Sequence, residues 1–236
     1  MSQLTSCTPP SKKYQPGGLT ILHEDKDILV IDKPSGLLTV GSDHNKSPTT
    51  AHYLLNDYVR KGNPKSHQRV YIVHRLDQAT SGLIVFAKSE SAKTFLQDNW
   101  DKTDKHYFAI VHGQMTKKEG MMTTYLIENK ANNVYSTANT NAGKLAKTAY
   151  IVIQEKKEFS LVDIHLLTGR KHQIRVHFAD SGHPVVGDQK YGNDPGNSKR
   201  LALHSKSLTF THPFNKKMMS FVSAMPEDFN RLMGKR

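Results

Sequence analysis

The sequence predicts an α+β fold built on a mostly antiparallel, multi-stranded sheet flanked by helices and loops. Short runs rich in β-branched and aromatic residues recur at close intervals from Leu19 onward. Only a few intervening stretches carry the three-to-four-residue apolar spacing of a helix. No internal repeat, heptad pattern or low-complexity block interrupts them, so many close-spaced strands with few helices point to one α+β domain.

Residues 1–18 hold Pro9, Pro10, Pro16, Gly17 and Gly18 among polar residues and read as a flexible tail, with a single domain over 19–236. Thr20–Glu24 and Ile28–Ile31 are short strands joined by the polar turn Asp25-Lys26-Asp27, and Pro34 with Gly36 ends the pattern. From Thr50 to Arg60, the apolar residues Ala51, Leu54, Leu55, Tyr58 and Val59 recur at helical spacing. Asn63-Pro64-Lys65-Ser66 is a loop, Val70–Val73 a strand feeding His74–Asp77, and Leu83–Ala87 a buried strand after Gly82. Ser89 or Ser91 caps a helix carrying Ala92, Phe95, Leu96 and Trp100. Tyr107–Val111 is a further strand closed by Gly113, whereas 129–147 is polar and carries no clear pattern. Tyr150–Ile153 and Phe159–Leu166 form a pair, the second alternating Val162, Ile164 and Leu166 with Leu161, Asp163 and His165. A short helix over 171–181 places Ile174 and Phe178 on one face and stops at Gly182 and Pro184. Strands near 207–211 and 217–223 precede a helix opening at Pro226, with Glu227 and Asp228 in its first turn.

Hydrophobic residues make up 36% of the chain, enough for one core. Lys and Arg number 33 against 21 acidic residues, a net charge of +12, and the pI is about 9.6. Such an excess points to a polyanionic partner, most often nucleic acid; the bland alternative is a basic, solvated surface. The lone Cys7 excludes an internal disulfide framework and a multi-cysteine zinc site, and fits a reducing compartment. Residues 1–18 lack the apolar stretch of a signal peptide, and no apolar run approaches the ~20 residues of a spanning helix. A cytoplasmic protein without membrane association is expected.

Three segments carry chemistry. His74-Arg75-Leu76-Asp77-Gln78-Ala79-Thr80-Ser81-Gly82-Leu83 puts an arginine and a carboxylate at the mouth of a strand, where a sheet holds loop residues yet leaves them open to ligand. Asp77 can serve there as nucleophile or general base, or can simply cap the turn. Leu167–His177 is dense in cations and amides; a cation such as Arg175 beside a carboxylate would keep it ionised, and a phosphate-binding or surface-basic helix is the alternative. His165, His172 and His177 fit no common zinc spacing and have no nearby acidic residue to complete a set, so no metal is expected. His183–Gly192 is a glycine-bounded loop that Asp188 and Tyr191 can hold together. With no Walker A, Rossmann or Gly-x-Ser-x-Gly pattern, nucleotide hydrolysis, hydride transfer and serine hydrolysis lose support.

Taken in order, these segments resemble the RluA-type pseudouridine synthases. Ile28–Leu38 is similar to that family's first motif, His74–Leu83 to its catalytic motif and Lys105–Gly113 to its tyrosine strand. Leu167–His177, His183–Gly192, Leu203–Ser205 and Phe210–Pro213 match the later ones. The resemblance spans about Leu19 to Pro226 and implies a central cleft across an antiparallel sheet. It implies Asp77 as the catalytic aspartate, Tyr107 as the aromatic that stacks on the target base, and Arg175 as the basic partner of the aspartate. Arg75 resembles the arginine that enters the RNA, while Lys33 and Pro34 match a structural motif. Many relatives carry an N-terminal S4 domain, for which a first motif near Leu19 leaves no room, so the catalytic domain is expected to recognise RNA itself. The implied partner is ribosomal or transfer RNA, the implied reaction a redox-neutral isomerisation needing no cofactor, and the expected state a monomer. A non-catalytic RNA-binding module explains the charge equally well but not the setting of Asp77. A glycosidase lacks an obvious second carboxylate, and a nuclease would usually need a metal.

Overall fold

The computed structural model describes residues 15–41, 50–63, 65–192, 198 and 200–234. Most of the tail read from residues 1–18 therefore lies outside the described residues, as does Pro64 of the 63–66 loop. The chain divides into two compact units, the first made of Met1–Thr103 and Ser207–Ser223, the second of Asp104–Lys206 and Ala224–Arg236.

In the first unit, β1 (Thr20–Glu24) pairs antiparallel with β2 (Ile28–Lys33), and β2 with β4 (Ser81–Ala87). The strand expected at 70–73 shrinks to β3 (Tyr71–Ile72), which pairs with the end of β4. Ser207–Thr211, the latter part of β10 (Leu203–Thr211), pairs antiparallel with β11 (Met218–Val222). Every residue of β4 is buried, which is why it reads as an uninterrupted apolar run rather than an alternating one. Ile28, Val30, Leu83, Val85, Leu208 and Phe210 form one core with Ala92 and Leu96 of α2 (Glu90–Asp98). The Ser89 side chain accepts from Ala92 N at 3.1 Å and so is the cap of α2, a contact worth about 1 kcal/mol. Trp100 falls outside this helix in a 3-10 turn, Trp100–Lys102, and stacks on His74 with centroids 4.3 Å apart. Helix α1 (Ala51–Arg60) is capped by Thr50, whose hydroxyl accepts from Tyr53 N, and buries Ala51, Leu55 and Val59.

In the second unit, β5 (Asp104–His112) pairs with β9 (Phe159–Leu166), β9 with β8 (Lys144–Glu155), β8 with β6 (Glu119–Glu128) and β6 with β7 (Val134–Thr137), all antiparallel. The strands β6 and β7 have no counterpart in the sequence reading, and β8 begins six residues before Tyr150. Their residues are largely half-exposed or exposed, so backbone pairing holds them with little apolar alternation to reveal them. Helix α3 (Gln173–Asp180) is shorter than the expected 171–181 and buries Ile174, Val176 and Phe178. Helix α4 (Glu227–Leu232) opens at Pro226 as expected and buries Phe229. Among the described residues, no helix is long and apolar enough to cross a membrane.

Candidate active site

In the first unit, Arg75 and Asp77 sit in the segment between β3 and β4, with Arg75 exposed and Asp77 half-buried. The segment has no ladder of its own, yet its backbone is held nearly residue by residue. Gln97 Nε2 donates to the carbonyls of Ile72 and Val73, at 3.2 and 3.3 Å. The His74 imidazole accepts from Val85 N at 3.1 Å through Nε2. Thr39 Oγ1 donates to Leu76 O at 2.9 Å and accepts from Leu76 N at 3.3 Å. Thr80 N donates to Asp77 O at 3.1 Å, closing a turn over Gln78 and Ala79. Beneath that turn, Gln78 O accepts from Gly36 N and from Lys33 Nζ, and Ala79 O accepts from Ser35 Oγ.

Lys33 is fully buried, and its ammonium also donates to Pro34 O at 2.9 Å and Leu37 O at 2.7 Å. Burying a charge is costly unless hydrogen bonds replace its water. Here a convergent set of carbonyls does so and ties the Pro34–Leu37 turn to the turn after Asp77. Lys33 is thus a positioning group for the Asp77 loop, consistent with the structural motif it was read in. Thr39 has no place in the sequence reading, since a lone threonine between Leu38 and Val40 carries no signal of its distant partner Leu76.

In the second unit, Tyr107 lies on β5 and is 8% exposed, opposite Ile164 of β9. Arg175 lies on α3, with its side chain only 11% exposed, so α3 is no surface-basic helix. Its Nε and Nη2 each donate at 2.8 Å to the two oxygens of Asp188, whose side chain is fully buried. This bidentate fork fixes the plane of the guanidinium. Asp188 Oδ1 also accepts from Lys190 N at 2.9 Å and Tyr191 N at 3.1 Å. Burial pushes the Asp188 carboxyl up, but Arg175 and these N–H groups hold it below its ordinary value. The Arg175 guanidinium lies 5.1 Å from the Tyr191 ring centroid. The Tyr191 hydroxyl in turn meets His172 Nδ1 at 2.7 Å and accepts from Val134 N at 3.2 Å. The loop that was expected to be held by Asp188 and Tyr191 is therefore also the cradle of Arg175.

The same helix is pinned to the sheet by amide and imidazole groups. Gln173 Nε2 donates to Lys147 O and Thr148 Oγ1, while its Oε1 accepts from Thr168 Oγ1 and Arg170 N. His177 bridges Thr148 and Thr124 through its two ring nitrogens, each contact 2.9 Å, and burial lowers its pKa. His172 and His177 are thus engaged with hydroxyls, and they do not gather with His165.

A family model described as RNA pseudouridylate synthase matches residues 27–180. An uncharacterized RNA pseudouridine synthase of Mycobacterium bovis is 37% identical over 223 residues, covering 92% of this chain and 72% of that protein. Ribosomal large subunit pseudouridine synthase D of Haemophilus influenzae is 35% identical over 233 residues, covering 91% of this chain and 70% of its own. Among solved structures, human RNA pseudouridylate synthase domain containing 4 matches with a TM-score of 0.76 at 22% identity, covering 91% of this chain and 92% of the other, a likeness of fold. The chain belongs to the RluA-type RNA pseudouridylate synthases, isomerases that convert uridine in RNA to pseudouridine.

Proposed function

We propose that this pseudouridine synthase works through Asp77 on specific uridines of ribosomal or transfer RNA, with large-subunit ribosomal RNA the first candidate. It acts as a cytoplasmic monomer, without a cofactor, and residues 19–236 serve as one catalytic domain. The ribosomal choice follows the 35% identity to a relative named for the large ribosomal subunit. The observation that carries the assignment of Asp77 is the bracing of its loop, with Leu76 held by Thr39 on one side and Gln78 by Lys33 and Gly36 on the other. A carboxylate presented from so restrained a backbone needs little reorganisation when charge develops near it.

The reaction breaks N1–C1′, turns the base and joins C5 to C1′; the C5 hydrogen leaves as a proton and N1 gains one, so the product is an isomer. Positive character grows on the ribose as the first bond breaks. A carboxylate can stabilise that charge, attack C1′, or remove the C2′ proton, and every route requires Asp77 ionised. By the family resemblance Arg175 is the basic partner of the aspartate, and Asp188 holds its guanidinium in plane. The target nucleotide leaves its stack at a cost of a few kcal/mol. Stacking on Tyr107 returns ~1–3 kcal/mol of that. Arg75, exposed at the head of the catalytic loop, enters the RNA in place of the extruded nucleotide, and the net charge of +12 supplies salt-sensitive attraction to phosphates.

The test is to incubate wild type and Asp77→Asn with unmodified ribosomal and transfer RNA transcripts in excess chelator, and with total RNA from cells lacking the protein. The RNA is then digested and assayed for pseudouridine. Product from wild type alone, mapped to one or a few uridines, is expected. Product from Asp77→Asn at the wild-type rate would overturn the role of Asp77, and RNA binding without product from either would leave a binding module.

A further inference from the structure

On β5 and β9 the register sets His106 opposite His165. Alternation along β5 puts Asp104 and His106 on the face away from Lys105, Tyr107 and Ala109, which are buried. The two imidazoles stack with centroids 4.6 Å apart and planes within 9°. Asp104 Oδ1 lies 3.2 Å from His106 Nε2 and 2.8 Å from His165 Nε2. On its other side, His106 Nδ1 lies 3.4 Å from Asp163 Oδ1, a buried oxygen with no hydrogen-bond partner among the described residues. The second oxygen of Asp163 is taken by the Lys206 ammonium, which also covers the Phe108 ring.

This geometry sets a proton problem. A neutral imidazole has one N–H. With the hydrogen on Nε2, the Nδ1 lone pair of His106 faces the buried Asp163 oxygen. With it on Nδ1, the Nε2 lone pair faces Asp104. Either tautomer leaves a nitrogen lone pair against a carboxylate, and among the described residues two carboxylates, Asp104 and Asp163, face it beside one paired lysine, Lys206. A second proton on His106 removes the conflict, and so does a cation among Asp104 Oδ1, His106 Nε2 and His165 Nε2. His106 then donates Nδ1–H to Asp163, and the three remaining lone pairs converge on the ion.

We propose that Asp104, His106 and His165 form a binding site for a divalent transition cation of the zinc class, with Asp163 as the outer carboxylate that orients His106. Two imidazoles and a carboxylate suit zinc and its neighbours, whereas magnesium and calcium prefer all-oxygen sets. The donor atoms lie within 4.8 Å of one another, and bonds of about 2.0–2.2 Å need them roughly 3.4 Å apart, a closure that partly exposed imidazoles reach by rotating. Asp104 and His165 are exposed to solvent on one side, which leaves room for water to complete the shell. An outer carboxylate on a ligating histidine is the usual companion of such sites. Bound metal would clamp β5 to β9 on the sheet face opposite Tyr107.

The other acidic-imidazole cluster, Asp25 with Asp27 and His212, lacks this conflict. His212 Nδ1 accepts from Phe214 N and Asn215 N, so its Nε2–H donates to Asp25 Oδ2 at 3.0 Å. Asp25 Oδ1 accepts from Asp27 N and Ile28 N, both at 2.8 Å. The carboxylate of Asp25 and Nδ1 of His212 already meet hydrogens there.

The experiment titrates tag-free, metal-stripped full-length protein with zinc chloride by calorimetry, beside His106→Ala, His165→Ala and Asp163→Asn. One equivalent is expected in wild type, with binding lost in both alanine variants and weakened about 10–100-fold in Asp163→Asn. A wild type that binds no zinc, or a His165→Ala variant that binds as tightly as wild type, would overturn the proposal. Should an alanine variant not fold, cobalt added to wild type decides. Stoichiometric visible d–d bands of nitrogen coordination support the site, and their absence means that a proton, not a metal, bridges the carboxylates.

Discussion

Replacing Asp188 with asparagine keeps the shape of the side chain and removes the charge that faces Arg175. Both partners are shielded, with side chains 0% and 11% exposed, so the guanidinium left behind gains little from water. Breaking a buried pair by neutralising one member costs ~3–5 kcal/mol. Asparagine still offers one acceptor, which places the expectation near the lower end, about 3 kcal/mol. In a chain of this size each kcal/mol moves the melting temperature by about 2–4 °C, so a fall of roughly 6–12 °C is expected by calorimetry. Replacing both partners, as in Arg175→Met with Asp188→Leu, removes the stranded charge and is expected to recover most of that loss. Pseudouridine formation should stay low in both variants, because the double change also deletes Arg175. An asparagine variant that melts within about 2 °C of wild type would show that the fork is not a structural element and would refute the reasoning.

Three further expectations concern other groups. His204 is 2% exposed, and burial, aided by the nearby Arg200 and opposed by Asp228, lowers its pKa from 6.5 to about 4. The unfolded chain therefore takes up this proton first as pH falls, so stability is full above about 6.5 and erodes toward pH 4, by ~3 kcal/mol. Urea denaturation between pH 7 and 4.5 should show this slope together with a contribution of the same sign from His177, and His204→Gln should reduce it; an unchanged slope would exclude His204 as a source. Gly187 has φ +76°, and a Cβ there would stand 2.1 Å from Arg200 O, so Gly187→Ala is expected to cost about 3 kcal/mol or more, whereas Gly169→Ala, which meets nothing within 4 Å, should be neutral. Lys33→Met keeps the stem but strands the carbonyls of Pro34 and Leu37 and removes one of the two donors to Gln78 O, and should lower the urea midpoint by the equivalent of about 3 kcal/mol while reducing turnover through a loosened Asp77 loop. Wild-type stability in that variant would remove Lys33 from the support of the loop.

Much of the architecture is written locally. Ile28–Ile31 and Leu83–Ala87 are buried runs, Thr50 and Ser89 are caps, and Gly182 ends α3, so burial, capping and turn chemistry mark these elements within a few residues of their own positions. The family was legible too, because its motifs occur as contiguous segments in order, and the match over 27–180 agrees. What stayed hidden depends on partners distant in the chain. The strands β6 and β7 are held by pairing rather than by an apolar face, and half-exposed positions leave no alternation to read. The role of Asp188 required α3 to bring Arg175 within 2.8 Å of it. In the sequence His165 has His172 and His177 nearest to it, at a spacing that fits no zinc motif, while the β5–β9 register brings it beside His106 and Asp104. Composition and short-range pattern determine which residues prefer strand, helix or turn; pairing register and burial decide which side chains meet, because those depend on contacts between segments that no local preference encodes.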